Sequence, residues 1–178
     1  MAQMDPRVSL RTATLADLDA IARLHLASWM SAYRGIVPDA FLQSVTLQSR
    51  LVRWQRALSP DESPATVTIV AVDGPTILGF CSFGPRRQPP SSTTGEIYAL
   101  HVLPTLRRGG IGTLLLDEAG RDLAKRGFKW AFLWVLRDNA DARRFYEARG
   151  WSLAGEEWVE ERDGFAIPEV GYSIDLDT

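Results

Sequence analysis

Apolar side chains recur at helical spacing in four segments of this 178-residue chain. The pattern predicts helices at residues 15–29, 39–58, 111–126 and 139–149. Thr14 precedes the first helix and Asp17 follows three residues later, a capping-box-like pair that favours a helix start. The third and fourth helices are each followed by a glycine, which is typical of a helix end.

Short runs rich in β-branched and aromatic residues alternate with these helices. They predict strands at residues 8–12, 66–72, 76–83, 96–103, 129–136, 151–159 and 169–176. The turn residues "DGP" join the second and third strands into a hairpin, whereas the proline- and serine-rich residues 85–95 predict a mobile loop. No repeat or linker interrupts this order, so we expect one α/β domain over residues 1–178, built on a single mixed sheet.

Composition narrows the classes of function. The net charge is −2, which disfavours a nucleic-acid partner. The single cysteine, Cys81, is expected to be a buried apolar side chain, and with only two histidines we expect no metal site. Residues 1–10 lack the apolar core of a signal peptide, and no apolar run approaches the ~20 residues of a membrane span. We therefore expect a soluble, cytoplasmic protein with no membrane contact.

A cluster of arginine and glycine residues lies where the third helix begins. It comprises Arg107, Arg108, Gly109, Gly110 and Gly112. Glycine lowers helix stability and adjacent arginines repel each other, so a bound anion would offset both penalties. A helix N-terminus offers unpaired N–H groups, glycines allow close approach, and arginines add donors suited to phosphate. The cluster predicts a diphosphate-binding site; a glycine-rich turn before a core helix is the plainer alternative.

Three kinds of phosphate-binding sequence are candidates for this cluster. The ATP- and GTP-binding loop requires a Gly-Lys pair, which the chain lacks, and the dinucleotide fingerprint requires a third glycine where Leu115 stands. The pattern Arg/Gln-x-x-Gly-x-Gly/Ala fits Arg107, Gly110 and Gly112. It resembles the acetyl-CoA signature of the GNAT superfamily, the Gcn5-related N-acetyltransferases.

The flanking segments extend this resemblance. The cluster is preceded by "IYALHVLP" and followed by "LWVLRDNADARRFYEARGW", as in the superfamily. The resemblance covers the whole chain and implies a GNAT fold, with a single mixed, mostly antiparallel central sheet and helices on both faces. It also implies an acetyltransferase that uses acetyl-CoA, without a metal, and acetylates a primary amine of a small molecule or peptide by direct attack.

The resemblance further implies where acetyl-CoA binds. Backbone N–H groups from Arg107 to Thr113 would surround the pyrophosphate, and the end of the fourth strand would pair with the pantetheine arm. A backbone N–H near Val102 would polarise the thioester carbonyl. The implied cofactor-binding residues are Leu100, His101, Val102, Arg107, Arg108, Gly109, Gly110, Ile111, Gly112, Thr113, Asn139 and Arg143.

Two residues are candidates for proton transfer. Tyr146 falls on one helix face with Asn139 and Arg143, and the resemblance implies that it protonates the departing coenzyme A thiolate. Glu96 heads a strand and would act as a base through water, with Glu169 as the weaker candidate. The alternatives are that Tyr146 only packs in the core, that Glu96 is a solvated strand end, and that the amine needs no base.

Trp29 and Tyr33 flank the first loop between helices, where the superfamily usually forms the acceptor pocket, so both are candidates to line it. The residues do not reveal which amine is the acceptor, and a homodimer is left open. A non-catalytic acyl-CoA-binding or sensing domain of the same fold is the alternative to an enzyme. Asn139, Tyr146 and Glu96 favour the enzyme.

Overall fold

A mixed β-sheet carries the helices of the protein on its two faces. The computed structural model describes residues 8–61, 65–162 and 164–177; residues 1–7, on which most of the signal-peptide expectation rests, lie outside these ranges. Within them the strands are β1 (Ser9–Thr12), β2 (Val67–Asp73), β3 (Thr76–Arg87), β4 (Pro90–Val102), β5 (Trp130–Leu136), β6 (Ser152–Arg162) and β7 (Phe165–Asp175). The helices are α1 (Leu18–Ala32), α2 (Asp39–Ser44), α3 (Leu47–Ala57), α4 (Ile111–Lys125) and α5 (Ala140–Glu147), with 3₁₀ turns at Leu15–Asp17 and Pro104–Leu106.

The sheet has the order β1-β2-β3-β4-β5-β7-β6 and is antiparallel except between β4 and β5. This confirms the prediction of a single mixed, mostly antiparallel sheet. The parallel pairing joins residues 94–97 of β4 to residues 130–133 of β5. Beyond these pairs β4 continues beside β3 and β5 continues beside β7. The two central strands therefore separate and leave an opening in the sheet.

Apolar side chains fill both sides of the sheet. The sequence predicts an apolar stripe of Ile111, Leu114, Leu115, Ala119 and Leu123 on α4. On one face α4 packs with four of these residues buried, whereas Leu114 is only partly buried. Gly95 of β4 permits this contact, because a Cβ there would lie 2.5 Å from Cδ2 of Leu123. On the other face α1 and α3 pack around a second buried cluster. Helices therefore lie on both faces, as predicted.

The predicted helix at residues 39–58 is wrong in one respect, because the structure divides it into α2 and α3. Val45 between them is extended, and Thr46 caps α3 by accepting a hydrogen bond of 3.2 Å from the Ser49 N–H. A β-branched residue followed by a threonine suits an extended link and an N-cap better than a continuous helix.

The predicted mobile loop at residues 85–95 is also wrong. Apart from the turn at residues 88–89, this segment extends β3 and β4 into a long hairpin, in which Arg87 pairs with Pro90. Side chains of β4 stabilise it: the Tyr98 hydroxyl donates to the Pro85 carbonyl at 2.6 Å, and Glu96 accepts from the Arg87 N–H at 2.9 Å. Composition alone does not reveal these contacts, which hold the hairpin tip beside the opening in the sheet.

Candidate active site

A cleft of about 2630 Å³ occupies the opening between β4 and β5. It extends from the start of α4 to the aromatic side chains at the end of α1. The predicted site residues that line it are Trp29, Tyr33, Glu96, Leu100, His101, Val102, Arg107, Arg108, Gly110, Gly112, Thr113, Asn139 and Tyr146. Gly109, Ile111 and Arg143 do not line it. The fold thus brings most of the predicted site together from five separate elements.

The loop before α4 is shaped to expose backbone N–H groups. Arg108 and Gly110 both adopt left-handed backbone conformations, with φ of 65° and 87°. A non-glycine residue rarely adopts this conformation, so Arg108 marks a constrained loop. Residues 111–113 form the first turn of α4, where N–H groups have no partner within the helix. Such N–H groups beside left-handed residues form a concave surface suited to an anion, which is the chemistry expected of a diphosphate site.

Gly109, Ile111 and Gly112 also make contacts within the protein. The Gly109 N–H donates to the Leu106 carbonyl at 3.3 Å, and the Ile111 side chain is buried in the core. A Cβ on Gly112 would lie 3.4 Å from the ring of Phe145 on α5. This is an ordinary van der Waals distance, so a methyl group at position 112 would fit against α5.

Arg149 is a residue of this region that the sequence pattern does not reveal. Its Nε donates to Thr113 Oγ1 at 2.9 Å, and its Nη1 donates to the Phe145 carbonyl at 2.8 Å. The guanidinium also lies 3.8 Å from the centre of the Phe145 ring. Arg149 thus joins the first turn of α4 to α5. The spacing of four residues from Phe145 is a local signal, whereas the contact with Thr113 depends on the fold.

The end of β4 presents backbone groups to the cleft. The Leu103 N–H donates to the Leu78 carbonyl on β3 at 2.9 Å. Because N–H and C=O directions alternate along a strand, the backbone groups of Leu100 and Val102 point the other way, toward the opening. Among the described residues, no strand pairs with this edge of β4 beyond residue 97. The edge is therefore open to an extended ligand, which is what pairing with a pantetheine arm requires.

The His101 side chain lies on the α1 face of β4. Its Nδ1 is hydrogen-bonded to Ser28 Oγ at 2.9 Å, and its ring centre lies 4.6 Å from that of His25. Burial lowers the pKa of His101 to about 3, and the positive charges of Arg50 and Arg107 add to this effect. The imidazole is therefore neutral near pH 7. Arg107 Nη2 also donates to the Ser28 carbonyl at 3.2 Å, so this arginine links the loop before α4 to α1.

Tyr146 on α5 lines the cleft close to the core. Burial raises its pKa well above the ordinary value for tyrosine, and Cys81 and Tyr33 add to this effect. The phenol therefore keeps its proton and can act as a proton donor.

Cys81 is fully buried, as predicted, and burial raises the pKa of its thiol as well. A buried neutral thiol is unreactive.

Asn139 and Arg143 each make hydrogen bonds within the protein. Asn139 is the buried N-cap of α5, and its Oδ1 accepts a hydrogen bond of 3.1 Å from the Ala142 N–H. Arg143 points toward β7, where its Nε donates to the Tyr172 hydroxyl at 3.1 Å. Asn139 stays beside the cleft, whereas Arg143 makes a structural bond away from it. We therefore leave Arg143 out of the cofactor site proposed below.

Glu96 is buried at the point where β4 and β5 separate, with 2% of its side chain exposed. Its Oε2 accepts from the Arg87 N–H at 2.9 Å, and its Oε1 accepts from Arg87 Nη2 at 2.5 Å and Nε at 3.2 Å. Glu96 is therefore not a solvated strand end. Arg87 lies in residues 85–95, where the sequence predicts a loop and the structure has a hairpin. The sequence therefore does not reveal the ion pair between Arg87 and Glu96. Glu169, the weaker candidate, also lines the cleft.

Aromatic side chains form the cleft wall at the end of α1. The ring centres of Trp29 and Tyr33 lie 4.7 Å apart in an edge-to-face arrangement, and that of Phe41 lies 5.9 Å from Trp29. Edge-to-face contacts of this kind hold aromatic rings in a fixed orientation. Trp29 and Tyr33 both line the cleft.

In residues 8–61, 65–162 and 164–177, no group of three or more histidine, cysteine, aspartate or glutamate side chains is placed to hold a metal ion. Nor does this part of the chain contain a helix that is both long and apolar enough to cross a membrane.

Comparisons with known proteins agree with this geometry. Residues 26–151 match the Acetyltransferase (GNAT) family. The uncharacterized N-acetyltransferase YuaI of Bacillus subtilis (strain 168) is 31% identical over 164 residues, covering 92% of this chain and 91% of that protein. Among solved structures, PaiA N-acetyltransferase from Thermoplasma acidophilum in complex with coenzyme A has a TM-score of 0.72 at 20% identity, covering 94% of this chain and 98% of that one.

YncA from Salmonella typhimurium, solved with its cofactor acetyl-CoA, has a TM-score of 0.69 at 19% identity and covers 96% of this chain and 95% of its own. At such low identity the two structures support the fold alone. The family match spans more than half of the chain, and the relative from Bacillus subtilis is similar along almost its whole length. The chain therefore belongs to the GNAT family of acetyltransferases.

Proposed function

We propose that residues 1–178 form one N-acetyltransferase domain, which transfers the acetyl group of acetyl-CoA to a primary amine of a small molecule or peptide. One observation carries the proposal. The anion-binding start of α4 and the open edge of β4 face the same cleft, which a ligand with a diphosphate and an extended arm would span. Coenzyme A has this shape, and the two solved relatives contain coenzyme A or acetyl-CoA.

The residues present fit acetyl-CoA as a co-substrate. The N–H groups at residues 110–113 would bind the diphosphate, with the charge of Arg108 beside them. The backbone groups of Leu100 and Val102 would hold the pantetheine arm as an added strand. The Val102 N–H would polarise the thioester carbonyl, because a fixed dipole there stabilises the developing oxyanion.

The proposed reaction is a direct attack of the amine nitrogen on the thioester carbonyl carbon. A C–N bond forms, the C–S bond breaks, and the Tyr146 phenol gives its proton to the leaving thiolate. Glu96 receives the proton of the amine through a water molecule. Trp29 and Tyr33 line the end of the cleft where the acceptor would bind, and apolar walls of this kind orient an alkyl or aryl amine.

One observation favours a second candidate, an acyl-CoA-binding domain without transfer activity. Both carboxylate oxygens of Glu96 are already bound by Arg87, so the base is not free in the structure as it stands. The two candidates share the cofactor site and differ in whether thiol is released.

Time-dependent release of free thiol from acetyl-CoA, measured with a panel of amines, tests the proposal. The panel includes a diamine, an amino acid, a peptide with a free N-terminus and a lysine peptide. We expect amine-dependent release with at least one of them, and strongly reduced release by Tyr146→Phe. Acetyl-CoA binding with no thiol release across the panel would favour the binding domain instead.

A further inference from the structure

The side chains of Glu96 and Tyr98 enclose the guanidinium of Arg87 at the edge of the cleft. Arg87 Nη2 and Nε lie 2.5 Å and 3.2 Å from Glu96 Oε1, and the guanidinium carbon lies 4.2 Å from the centre of the Tyr98 ring. A carboxylate and an aromatic face together are the chemistry that recognises an organic cation. In this structure the cation that Glu96 and Tyr98 hold is therefore the guanidinium of Arg87.

The neighbouring Arg86 also packs on an aromatic ring and pairs with a carboxylate, but its side chain is largely buried. Its guanidinium carbon lies 3.9 Å from the centre of the Phe132 ring and it is ion-paired with Glu156, but only 11% of its side chain is exposed. The side chain of Arg87 is 55% exposed. The Arg87 side chain can therefore reach solvent, whereas Arg86 is enclosed. Because an unpaired carboxylate at the buried Glu96 position is costly, Arg87 leaves only when another cation takes its place.

The backbone keeps the Glu96 carboxylate in place without the Arg87 side chain. Oε2 accepts its hydrogen bond from the Arg87 N–H at 2.9 Å, and this bond does not involve the guanidinium. Oε1 is bound by the guanidinium. If the Arg87 side chain moves into solvent, Glu96 stays oriented and Oε1 becomes open to the cleft.

We propose that Glu96 and Tyr98 form the binding subsite for the cationic group of the acceptor, and that the Arg87 guanidinium occupies this subsite until an alkylammonium or guanidinium ion displaces it. The identity of the ligand as the acceptor rests on the proposed function; the subsite itself does not. Displacement delivers the amine to the residue proposed as its base.

Binding of methylguanidinium, followed by NMR chemical shifts, tests the subsite without any catalysis. We expect Arg87→Ala to bind it at least about fivefold more tightly than wild type, because the ligand no longer has to displace a guanidinium from a buried carboxylate. The double variant Arg87→Ala/Glu96→Gln should lose this gain. Arg121→Ala removes another exposed arginine, paired with Glu118 far along α4, and should bind like wild type. Equal binding by Arg87→Ala and wild type, in protein shown by melting to be folded, would overturn the proposal.

Kinetics with an amine that releases thiol provide a second measurement. Arg87→Ala should lower the KM for the amine at least about fivefold with kcat little changed. A fall in kcat at unchanged KM would mean that the guanidinium holds Glu96 for catalysis, and would overturn the proposal. If no amine in the panel releases thiol while Arg87→Ala still gains methylguanidinium binding, the proposed function fails and the subsite stands.

Discussion

Arg149 Nε donates a hydrogen bond of 2.9 Å to Thr113 Oγ1, and this bond ties the first turn of α4 to the segment that follows α5. The proposed diphosphate site is on that first turn, and Tyr146 is on α5. Arg149 therefore helps to fix the distance between the residues proposed to bind the cofactor and the residue proposed to protonate its thiolate.

Replacing Arg149 by methionine tests this relationship. The variant keeps an apolar stem over Phe145 but loses the hydrogen bonds to Thr113 and to the Phe145 carbonyl. We expect the free energy of unfolding to fall by about 1–2 kcal/mol, the usual cost of such bonds, and acetyl-CoA to bind more weakly. Urea unfolding and calorimetry measure the two effects. Arg23→Met, which breaks an exposed pair with Asp19, is the control and should leave both unchanged; an Arg149→Met protein that behaves like this control would contradict the role of the bond.

Tyr146→Phe tests the proposed proton donor. The substitution removes one hydroxyl and almost no volume, so acetyl-CoA affinity should stay close to wild type. Because burial holds the pKa of Tyr146 above its ordinary value, the phenol is protonated throughout the useful pH range. We expect turnover to fall about 10²–10⁴-fold, the range for general acid–base catalysis. Stopped-flow thiol release at saturating acetyl-CoA measures this, and a wild-type rate would remove Tyr146 from the mechanism.

Glu96→Gln tests the proposed base. The carboxamide is nearly isosteric, so a large change in rate does not arise from packing. If Glu96 takes the proton of the amine, the variant should lose most of its activity near neutral pH and the low-pH limb of the rate profile. If the two pH profiles overlay, the amine arrives neutral without help from Glu96, and Glu169→Gln becomes the next variant to measure.

Asp17 should make stability depend on pH at the start of α1. Its pKa is lowered from 3.8 to about 2, first by the hydrogen bonds from Arg11 and then by the bond from the Thr14 N–H. A lowered pKa in the folded state stabilises the protein above the unfolded pKa, and this is lost as the pH falls through about 2. Asp17→Asn should therefore cost about 1 kcal/mol at pH 7, because it weakens the hydrogen bonds from Arg11 and from the Thr14 N–H. Urea unfolding should show this cost shrinking as the pH falls below 3.8; a cost independent of pH would mean that the charge of Asp17 contributes nothing.

Much of the fold can be predicted because its signals are local. The stripe from Ile111 to Leu123 marks α4 by its period, and the hairpin of β2 and β3 follows from its turn residues. The division between α2 and α3 depends on one cap at Thr46, and the β3–β4 hairpin depends on bonds from Glu96 and Tyr98. Neither a helix cap nor hydrogen bonds across a hairpin change the spacing of apolar residues. The predictions of one helix at residues 39–58 and of a loop at residues 85–95 were therefore wrong.

The candidate active site also has parts that can be predicted from the sequence and parts that cannot. The arginine–glycine cluster is contiguous, so its position at the start of a helix can be predicted from the sequence. The contacts of Arg87 and Arg149 join separate elements, and only the folded chain brings them together. For Arg143 the helical spacing is real, but Asn139 caps the helix instead of lying within it, and the side chain of Arg143 is drawn to Tyr172.

Calorimetric titration of the wild-type protein with acetyl-CoA and with S-acetyl-pantetheine tests the central claim most directly. S-acetyl-pantetheine keeps the thioester and the arm proposed to pair with Leu100 and Val102 but lacks the diphosphate. We predict micromolar affinity for acetyl-CoA and at least about tenfold weaker binding of S-acetyl-pantetheine, because charge-assisted bonds at the start of α4 are lost. Equal affinity for the two ligands, or no binding of acetyl-CoA, would contradict the account.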